Sequence, residues 1–407
     1  MLGASAALVF AWLMAPPMPL TRIQRARRGL IAMVLVLALA HLAGGWYFSN
    51  RIFTGALDAS KPWEWDYTVL VNDIFIAPDG SGNTVTLLDV EDNEDLRGPG
   101  TFGLLYDGGF GLMTGDPVIV GNRVTRDFEL TSGQAPGLGA LAAVNSFAYP
   151  PEAVPPMREV NYPGQLGELS GVFQPGPGSV WGIMVHGKGS APDEQFRMMR
   201  ATGTLGMPSL SIRYRNDKGA PADADQTYGY GQTEWPDVQA AVDYAVENGA
   251  TGVVLSGSSM GGAIVASYLR NAEDTSLVRA VLLDSPMLDF DATIDYGAEQ
   301  IEVAGQAAVP PTVTWVAKRL ASVRFGVDWE ELDYNDDTDW AGVPTLVFHG
   351  DADLTVPVEV SRDFAERDSD VTYVEGQGVG HVESWNPDPA AYERTVVGFL
   401  TPLINQR

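Results

Sequence analysis

The stretch of the sequence that most restricts the fold is VVLSGSSMGG, at residues 253–262. Apolar residues lead into Gly257-x-Ser259-x-Gly261, and the apolar positions after it recur at helical spacing. The pattern predicts a buried strand, a sharp turn and a helix. Such a turn holds Ser259 in a strained backbone conformation at the end of a sheet. The helix then directs its first N–H groups toward negative charge that forms beside the serine.

From residue 158 onward, predicted strands and helices alternate. Besides the strand before Ser259, strands are predicted at 168–174, 180–186, 209–214, 278–283, 343–349 and 371–374, and helices at 195–202, 235–248, 359–366 and 390–403. The strands 168–174 and 180–186 are expected to pair across a Pro/Gly turn. Such alternation predicts a mostly parallel sheet with helices on both faces. Residues 285–342 exceed a normal crossover, so we expect a mainly helical lid there.

The N-terminal part contains a long uncharged run, LIAMVLVLALAHLAGGWYF, at residues 30–48. It is long enough to cross a bilayer, follows the basic cluster TRIQRARR and ends in aromatic residues. The pattern predicts a transmembrane helix, with residues 1–29 as a basic cytoplasmic N-terminus and the remainder outside the cytoplasm. Alternatively, Ala38-Leu39-Ala40 is a signal-peptidase site and the protein is secreted. We favour the anchor because the apolar run continues past that site.

Residues 2–20 are uncharged as well, and they could form a first membrane segment; alternatively, Met18 is the true start. Residues 49–66 are predicted to be a tether. Between residues 67 and 157, short alternating runs are separated by turn residues, which predicts a small β-rich region. The proline-rich residues 149–156 are expected to link it to a domain spanning 158–407.

Composition limits the chemistry and the partners of the chain. The net charge of −27 opposes binding to nucleic acid and to anionic lipid headgroups. The sequence has no cysteine, which excludes disulfides and thiol catalysis. Its four histidines, His41, His186, His349 and His381, argue against a histidine-rich metal site. We therefore expect neither a metal nor another cofactor.

A serine hydroxyl becomes a nucleophile only with a base, a carboxylate that orients the base, and donors for the oxyanion. The segment HGDADLTVP follows a predicted strand, and within it we choose Asp353 as the acid, with Asp351 as the weaker candidate and a turn-former. His381 is the only histidine after Asp353, and it lies on the glycine-rich segment GVGHVESW. The sequence therefore predicts Ser259, His381 and Asp353 as a catalytic triad.

The oxyanion donors are predicted on the segment HGKG at residues 186–189 and at the start of the helix after Ser259. We expect the backbone N–H groups of Met260 and Lys188 to meet the oxyanion. His186 and His349 each end a strand before a glycine, and we interpret both as structural residues that bond the backbone. The side chain of Lys188 is expected to be solvated.

Together, the segments HGKG, GSSMGG, HGDADLTVP and GHVESW resemble the α/β-hydrolase superfamily, and more narrowly its serine aminopeptidase-like and lysophospholipase-like branch of bacterial membrane-anchored hydrolases. The resemblance covers residues 158–403. It implies the α/β-hydrolase fold with a helical lid, here preceded by a transmembrane helix and a small β-rich region, and a triad in the order Ser, Asp, His. Lys188 departs from the HGGG segment of many esterases, which argues against esters of bulky alcohols.

These observations predict a membrane-anchored, extracytoplasmic serine hydrolase that cleaves carboxylic esters through an acyl-enzyme. Its substrate would be a small-molecule ester, a lipid or a peptide, because the same fold hosts esterases, lipases and peptidases. One alternative is a serine peptidase of aminopeptidase type. Another is a catalytically silent hydrolase fold that serves as a surface-binding module through residues 67–156.

Overall fold

The computed structural model describes residues 21–61, 67–77, 82–89, 93–146, 157–301, 308–336 and 338–404. The first element is helix α1, Arg22–Ile52, which begins with a capping box at Thr21 and continues as a π turn, Phe53–Leu57. Among the described residues, Arg22–Leu57 is the one helix long and apolar enough to cross a membrane. The basic cluster TRIQRARR was expected to precede the helix, but all of it after the capping residue Thr21 lies within α1. The run at residues 2–20 lies outside the described residues.

Six strands form a closed barrel after this helix. They are β1 Val69–Phe75, β2 Thr84–Leu88, β3 Phe102–Tyr106, β4 Gly109–Val120, β5 Arg123–Gly133 and β6 Leu141–Asn145, with the single helical turn α2 Glu94–Arg97 before β3. The strands close in the order β1-β2-β5-β4-β3-β6. Alternate residues of each strand fill the interior, among them Val85, Leu87 and Val124. The predicted β-rich region is thus confirmed as a small barrel. The proposed linker at 149–156 lies outside the described residues.

The second sheet has eight strands. They are β7 Arg158–Pro163, β8 Glu168–Gln174, β9 Val180–Val185, β10 Ser209–Ile212, β11 Gly252–Ser258, β12 Val278–Asp284, β13 Thr345–Gly350 and β14 Val371–Gly376. Their order is β14-β13-β12-β11-β9-β10-β8-β7. The pairs β7–β8 and β8–β10 are antiparallel, and the other pairs are parallel.

The expected pairing of 168–174 with 180–186 is wrong. Strand β10 lies between them, with Ser209 opposite Gly182 of β9 on one side and Gln174 of β8 on the other. The physical reason is that β9 is followed by a helical crossover to the parallel strand β10. Strand β10 therefore takes the place beside β9 that β8 would have held in a tight hairpin.

Helices cover both faces of this sheet. They are α3 Phe196–Thr204, α4 Trp235–Glu247, α5 Met260–Asn271, α6 Phe290–Glu299, α7 Pro311–Phe325, α8 Glu359–Arg367 and α9 Pro389–Ile404, with 3₁₀ turns at Pro192–Gln195 and Asp339–Ala341. Strand β11 shows the two faces. Val253 and Leu255 pack in the core under α4, α5 and α8, whereas Val254 packs in the core under α3 and α9. The predicted mostly parallel sheet between two helical layers is confirmed.

The expected lid, 285–342, contains α6 and α7 in its described part, and α7 lies along α1. Nε2 of His41 is 3.0 Å from the Thr312 hydroxyl, and Arg324 donates to Ser49 Oγ at 2.9 Å and to Asn50 Oδ1 at 2.7 Å. Residues 49–57, the first part of the predicted tether, are helical. These residues continue α1 into a π turn because α7 and the sheet domain pack against them.

A buried asparagine makes several of the contacts between the barrel and the sheet domain. Asn386 donates to the carbonyl oxygens of Thr101 at 2.7 Å and Ser146 at 2.9 Å, and Thr101 donates its N–H back to the Asn386 carbonyl. Two barrel side chains, Phe110 and Leu112, belong to the apolar core under α3 and α9. The barrel is thus packed on the loop between β14 and α9.

Candidate active site

The turn between β11 and α5 has the strained geometry that its sequence predicts. Ser259 has φ 51° and ψ −122°, a conformation that non-glycine residues rarely adopt. A Cβ on Gly257 would lie 2.4 Å from the Gly261 carbonyl oxygen, and one on Gly261 would lie 2.2 Å from the Val185 carbonyl oxygen. Both positions therefore require glycine, and together they hold the serine at the carboxyl end of the sheet.

Three predicted side chains meet at this point. Ser259 Oγ lies 2.9 Å from His381 Nε2, and His381 Nδ1 lies 2.7 Å from Asp353 Oδ2. Because an ionised carboxylate only accepts hydrogen bonds, Nδ1 carries the ring proton and Nε2 can accept the proton of the serine. The side chain of His381 is 23% exposed, whereas Asp353 is buried.

The Asp353 carboxylate is held ionised by a dense set of donors. Its Oδ1 accepts the N–H groups of Thr355 and Val356, and its Oδ2 faces both His381 and, at 3.1 Å, Nε2 of His349. Burial alone would raise the pKa of Asp353, but the hydrogen bonds from the two histidines outweigh it and lower the pKa well below its usual value. A fixed negative charge therefore lies behind the imidazole of His381.

The loop that carries His381 is fixed from the end of β12. Val382 adopts φ 57°, which is rare for a β-branched residue, and its N–H donates to the Ser285 hydroxyl at 3.0 Å. Ser384 donates its hydroxyl to Asp284 at 2.8 Å. These contacts set the direction in which the His381 side chain leaves the loop.

The expected oxyanion segment lies directly beside the serine. A Cβ on Gly187 would approach the Ser259 Cβ to 3.1 Å, and the Gly187 N–H donates to the buried Glu194 carboxylate at 3.0 Å. The N–H of Gly187 is therefore engaged, and Lys188 supplies the next backbone N–H along the segment. On the other side, Met260 begins α5, so its N–H has no partner within the helix.

The remaining predicted residues occupy other positions. Asp351 accepts the N–H of Gly378 at 2.6 Å, so it bonds the loop that leads to His381 and not the ring. Lys188, whose side chain was expected to be solvated, is an exposed residue, but its ammonium group donates to the carbonyl oxygen of Gly55 in the π turn at 2.7 Å. His186 bonds the backbone, as expected, and also the Asp217 carboxylate at 2.9 Å.

Sequence reasoning missed three supporting residues. His349 was interpreted as a backbone-bonding residue, but besides the Val356 carbonyl it contacts Asp353, its neighbour at i+4. Glu194 binds Gly187, and Ser285 binds the loop of His381. The i,i+4 spacing within HGDAD could have indicated the first contact. No local pattern marks the other two, because they join segments far apart in the chain.

Within the part of the chain that the structure describes, no group of three or more His, Cys, Asp or Glu side chains is arranged to hold a metal ion. A cavity of about 360 Å³ is lined by chain neighbours of the three residues, although none of the three lines it directly. It is bordered by Lys188, by Leu354 and Thr355 immediately after Asp353, and by residues of α1, the π turn, α6 and α7. The arrangement can activate the Ser259 hydroxyl by proton transfer next to a space for a substrate.

Comparison with known proteins gives a family model and a set of distant structures. The family model, described as alpha/beta hydrolase fold, matches residues 183–384. A comparison with curated protein sequences found no significant match. The esterase Pf2001 of Pyrococcus furiosus is similar to this chain with a TM-score of 0.48 and 19% identity over 61% of this chain and 93% of its own.

Two further structures are similar over the same share of the chain. Est1E of Butyrivibrio proteoclasticus has a TM-score of 0.43 and 18% identity over 61% of this chain and 99% of its own. A bacterial membrane phospholipase A has a TM-score of 0.43 and 18% identity over 61% of this chain and 87% of its own. Likenesses this distant say nothing about the substrate. The sheet order, the strained turn at Ser259 and the matching family model establish that the chain carries the α/β-hydrolase fold.

Proposed function

We propose that the protein is a serine hydrolase that cleaves carboxylic esters through an acyl-enzyme. The single observation that carries this proposal is the chain of contacts from Ser259 Oγ to His381 Nε2 at 2.9 Å and from His381 Nδ1 to Asp353 Oδ2 at 2.7 Å. Both distances lie within the range of ordinary hydrogen bonds, and the order of the three groups is the one that nucleophilic catalysis by serine needs.

In the proposed reaction, Ser259 Oγ attacks the ester carbonyl carbon while its proton passes to His381 Nε2. The N–H groups of Met260 and Lys188 stabilise the negative oxygen of the tetrahedral intermediate. The C–O bond to the leaving alcohol then breaks, and that alcohol takes the proton from His381. Water repeats the sequence on the acyl-enzyme, releasing the carboxylic acid. Asp353 stabilises the imidazolium in both halves.

An ester is favoured over a peptide with a free amine by the charges at the cavity. Among the described residues that line it, the charged ones are Arg51 and Lys188, and these cations would repel a substrate ammonium group. An aminopeptidase would instead place a carboxylate where that group binds. The serine peptidase therefore remains the second candidate, and a catalytically silent binding module is the third.

The test uses the full-length protein in detergent and a fluorophosphonate probe that labels activated serines. We expect labelling of the wild type, none of Ser259→Ala and very little of His381→Ala. Ser258→Ala is the matched control, because the Ser258 hydroxyl is held by Gln195 at 2.6 Å and should not be the labelled group. Wild-type protein that is folded but not labelled would overturn the proposal and favour the binding module.

The ester and peptide candidates are separated by turnover. A panel of p-nitrophenyl esters is measured beside aminoacyl p-nitroanilides, with Ser259→Ala as the blank in every assay. Ester turnover at least a hundredfold faster than anilide turnover, and dependent on Ser259, is expected. Faster cleavage of the anilides would instead support the peptidase.

We also propose that α1 anchors the protein with the sheet domain outside the cytoplasm. The support is the exposed apolar helix with arginines at its N-terminal end, such as Arg22 and Arg28. Protease added to intact cells should then cut the sheet domain without lysis. Protection of that domain until lysis would reverse the orientation, and a mature N-terminus after residue 40 would favour secretion.

A further inference from the structure

The cavity is lined at one end by chain neighbours of the proposed catalytic residues, and it is also lined by α1. Lys188, at its near end, follows the glycine that packs against Ser259, and Leu354 follows Asp353 directly. At about 360 Å³ the cavity falls in the size range of small-ligand sites. A substrate carbonyl held between Met260 and Lys188 would therefore direct one of its substituents into this space.

The walls of the cavity are mostly apolar and come largely from α1 with its π turn, α6 and α7. The apolar lining side chains include Phe48, Ile52 and Ala56 from α1 and its π turn, and Phe290, Ile294 and Ala298 from α6. Two glycines, Gly55 and Gly297, face open space, since a Cβ on either would meet no atom within 4 Å. Such a space favours a substituent without polar groups.

The α1 wall is firmly docked. A Cβ on Gly45 would come within 2.3 Å of the Val316 side chain, so α1 and α7 approach closely at this level. The guanidinium of Arg324 stacks over the Trp46 ring at 3.7 Å. At the π turn, Tyr230 donates its hydroxyl to the Ala56 carbonyl at 3.0 Å. The end of the apolar helix is thus a built part of the cavity and not a loose tether.

The same helix connects the cavity with the proposed membrane. Residues 21–40 are all exposed, and their apolar side chains continue to the exposed Leu42. Phe48, the first cavity residue of α1, follows Leu42 by six residues, or about 9 Å along the helix axis. The exposed aromatic residues Trp46 and Tyr47 lie between them, where an anchor helix places its interfacial belt. The cavity therefore begins where the hydrocarbon layer would end.

We propose that residues 48–56 form one wall of an acyl-binding pocket, and that the substrate is a membrane-lipid ester whose fatty acyl chain fills it. This inference rests on the proposed ester hydrolase activity. A fatty acyl chain would match the apolar lining of the pocket. The position of the pocket beside the proposed bilayer would allow that acyl chain to come from a membrane lipid. The anchor helix then serves as a specificity element as well.

The test fills the pocket from two of its helical segments, the π turn and α6. Gly55→Leu and Gly297→Leu each place a side chain into the open space, and Gly29→Leu is the matched control on the exposed part of α1. The full-length proteins are assayed in detergent with p-nitrophenyl dodecanoate and p-nitrophenyl acetate. The quantity compared is the ratio of kcat/KM for the long ester to that for the short ester.

We expect this ratio to fall at least about 20-fold in both pocket variants, which corresponds to exclusion of two or three methylene groups from an apolar site. The control should keep the wild-type ratio. An unchanged ratio in both pocket variants, with melting temperatures like that of the wild type, would overturn the inference. In that case Ser259-dependent hydrolysis of the acetate would still stand, whereas failure of the proposed function would abolish Ser259-dependent hydrolysis of both esters.

A second measurement tests the source of the chain. The full-length wild type and Ser259→Ala are reconstituted in vesicles of phosphatidylcholine that carries an oleoyl chain, and free oleate is followed with time. Ser259-dependent release of oleate is expected. Hydrolysis of p-nitrophenyl dodecanoate without oleate release would assign the pocket to soluble apolar esters and overturn the lipid part of the inference.

Discussion

His349 directs its Nε2 atom at Oδ2 of Asp353, 3.1 Å away, and so shares with His381 the carboxylate of the proposed triad. The opposite ring nitrogen of His349 faces the Ser361 hydroxyl at 2.7 Å. Both His349 and Ser361 are fully buried. Because Asp353 only accepts hydrogen bonds in its ionised form, Nε2 of His349 carries the proton, and Nδ1 accepts the one from Ser361. The pair fixes the direction in which the carboxylate faces His381.

Replacing His349 by Phe removes the donor while keeping a ring in the core. We expect kcat for a short ester to fall about tenfold or more, since a hydrogen bond to a charged group contributes about 1.5–3 kcal/mol. KM should change little, because His349 does not line the cavity. His349→Gln, which can still donate to Asp353, should recover part of kcat. Equal kcat in the Phe variant and the wild type, measured by steady-state kinetics, would remove His349 from the machinery that positions Asp353.

The two aspartates of the segment HGDAD should respond differently to substitution. Asp353→Asn replaces the acceptor of the His381 Nδ1 proton by an amide that can present a donor there, so kcat should fall by about 10³–10⁴-fold, as in other serine triads. Asp351→Asn should lower kcat less than threefold, because among the described residues the Asp351 carboxylate bonds the Gly378 N–H and not the His381 ring. Single-turnover acylation rates measure both. A larger loss in Asp351→Asn would reassign the acid.

Local sequence patterns were sufficient for the elements that meet at the active site. The strained turn at Ser259 follows from glycines whose replacement would bring a Cβ against backbone atoms. His381 could be found by elimination, because it is the only histidine after Asp353. The segments that carry Ser259, Asp353 and His381 follow one another along the chain in the order that this fold requires. Each of these inferences depends on a few neighbouring residues, so the sequence alone could support them.

The parts that the sequence did not predict depend on contacts between distant segments. The insertion of β10 between β8 and β9 is a matter of strand pairing, and nothing within residues 168–186 encodes it. Residues 49–57 have no local pattern that marks a docked helix, and their packing against α7 and the sheet domain depends on residues far away in the chain. The barrel was recognisable as β-rich, but its contact through Asn386 depends on a side chain 285 residues from Thr101.

Asn386 should carry much of the docking of the barrel. Asn386→Ala removes both side-chain N–H donors and leaves the partly buried carbonyl oxygens of Thr101 and Ser146 without them. An unsatisfied buried group costs about 1–3 kcal/mol, and because these two are only partly buried we use the lower part of that range and expect the free energy of unfolding to fall by roughly 2–4 kcal/mol. The matched control is Asn161→Ala, which removes an exposed amide that bonds Glu168 and should cost less than about 0.5 kcal/mol. Denaturant unfolding measures the free energy of unfolding of both variants. Equal losses in the two variants would show that the Asn386 contacts stabilise the protein no more than an exposed surface hydrogen bond does.

The stability of the sheet domain should depend on pH through His186. Its ring is fully buried, and its two nitrogens face the Asp217 carboxylate and the Gly187 carbonyl, which both accept hydrogen bonds. Burial alone would lower the pKa of His186, but the Asp217 carboxylate outweighs it and raises the pKa to about 8. The folded protein therefore binds this proton more tightly than the unfolded chain, in which the pKa is about 6.5.

The sign of the effect follows from this difference. The stabilisation by protonated His186 is complete below about pH 6.5 and is lost as the pH rises through about 8, with a total of about 2 kcal/mol. Between pH 6 and pH 9, the free energy of unfolding should fall in both the wild type and His186→Gln. We expect the fall in the wild type to be larger by about 2 kcal/mol. Denaturant titrations of both proteins at the two pH values measure the difference. Parallel changes in the two proteins would mean that His186 is neutral when folded and that its bond to Asp217 is made by an uncharged ring.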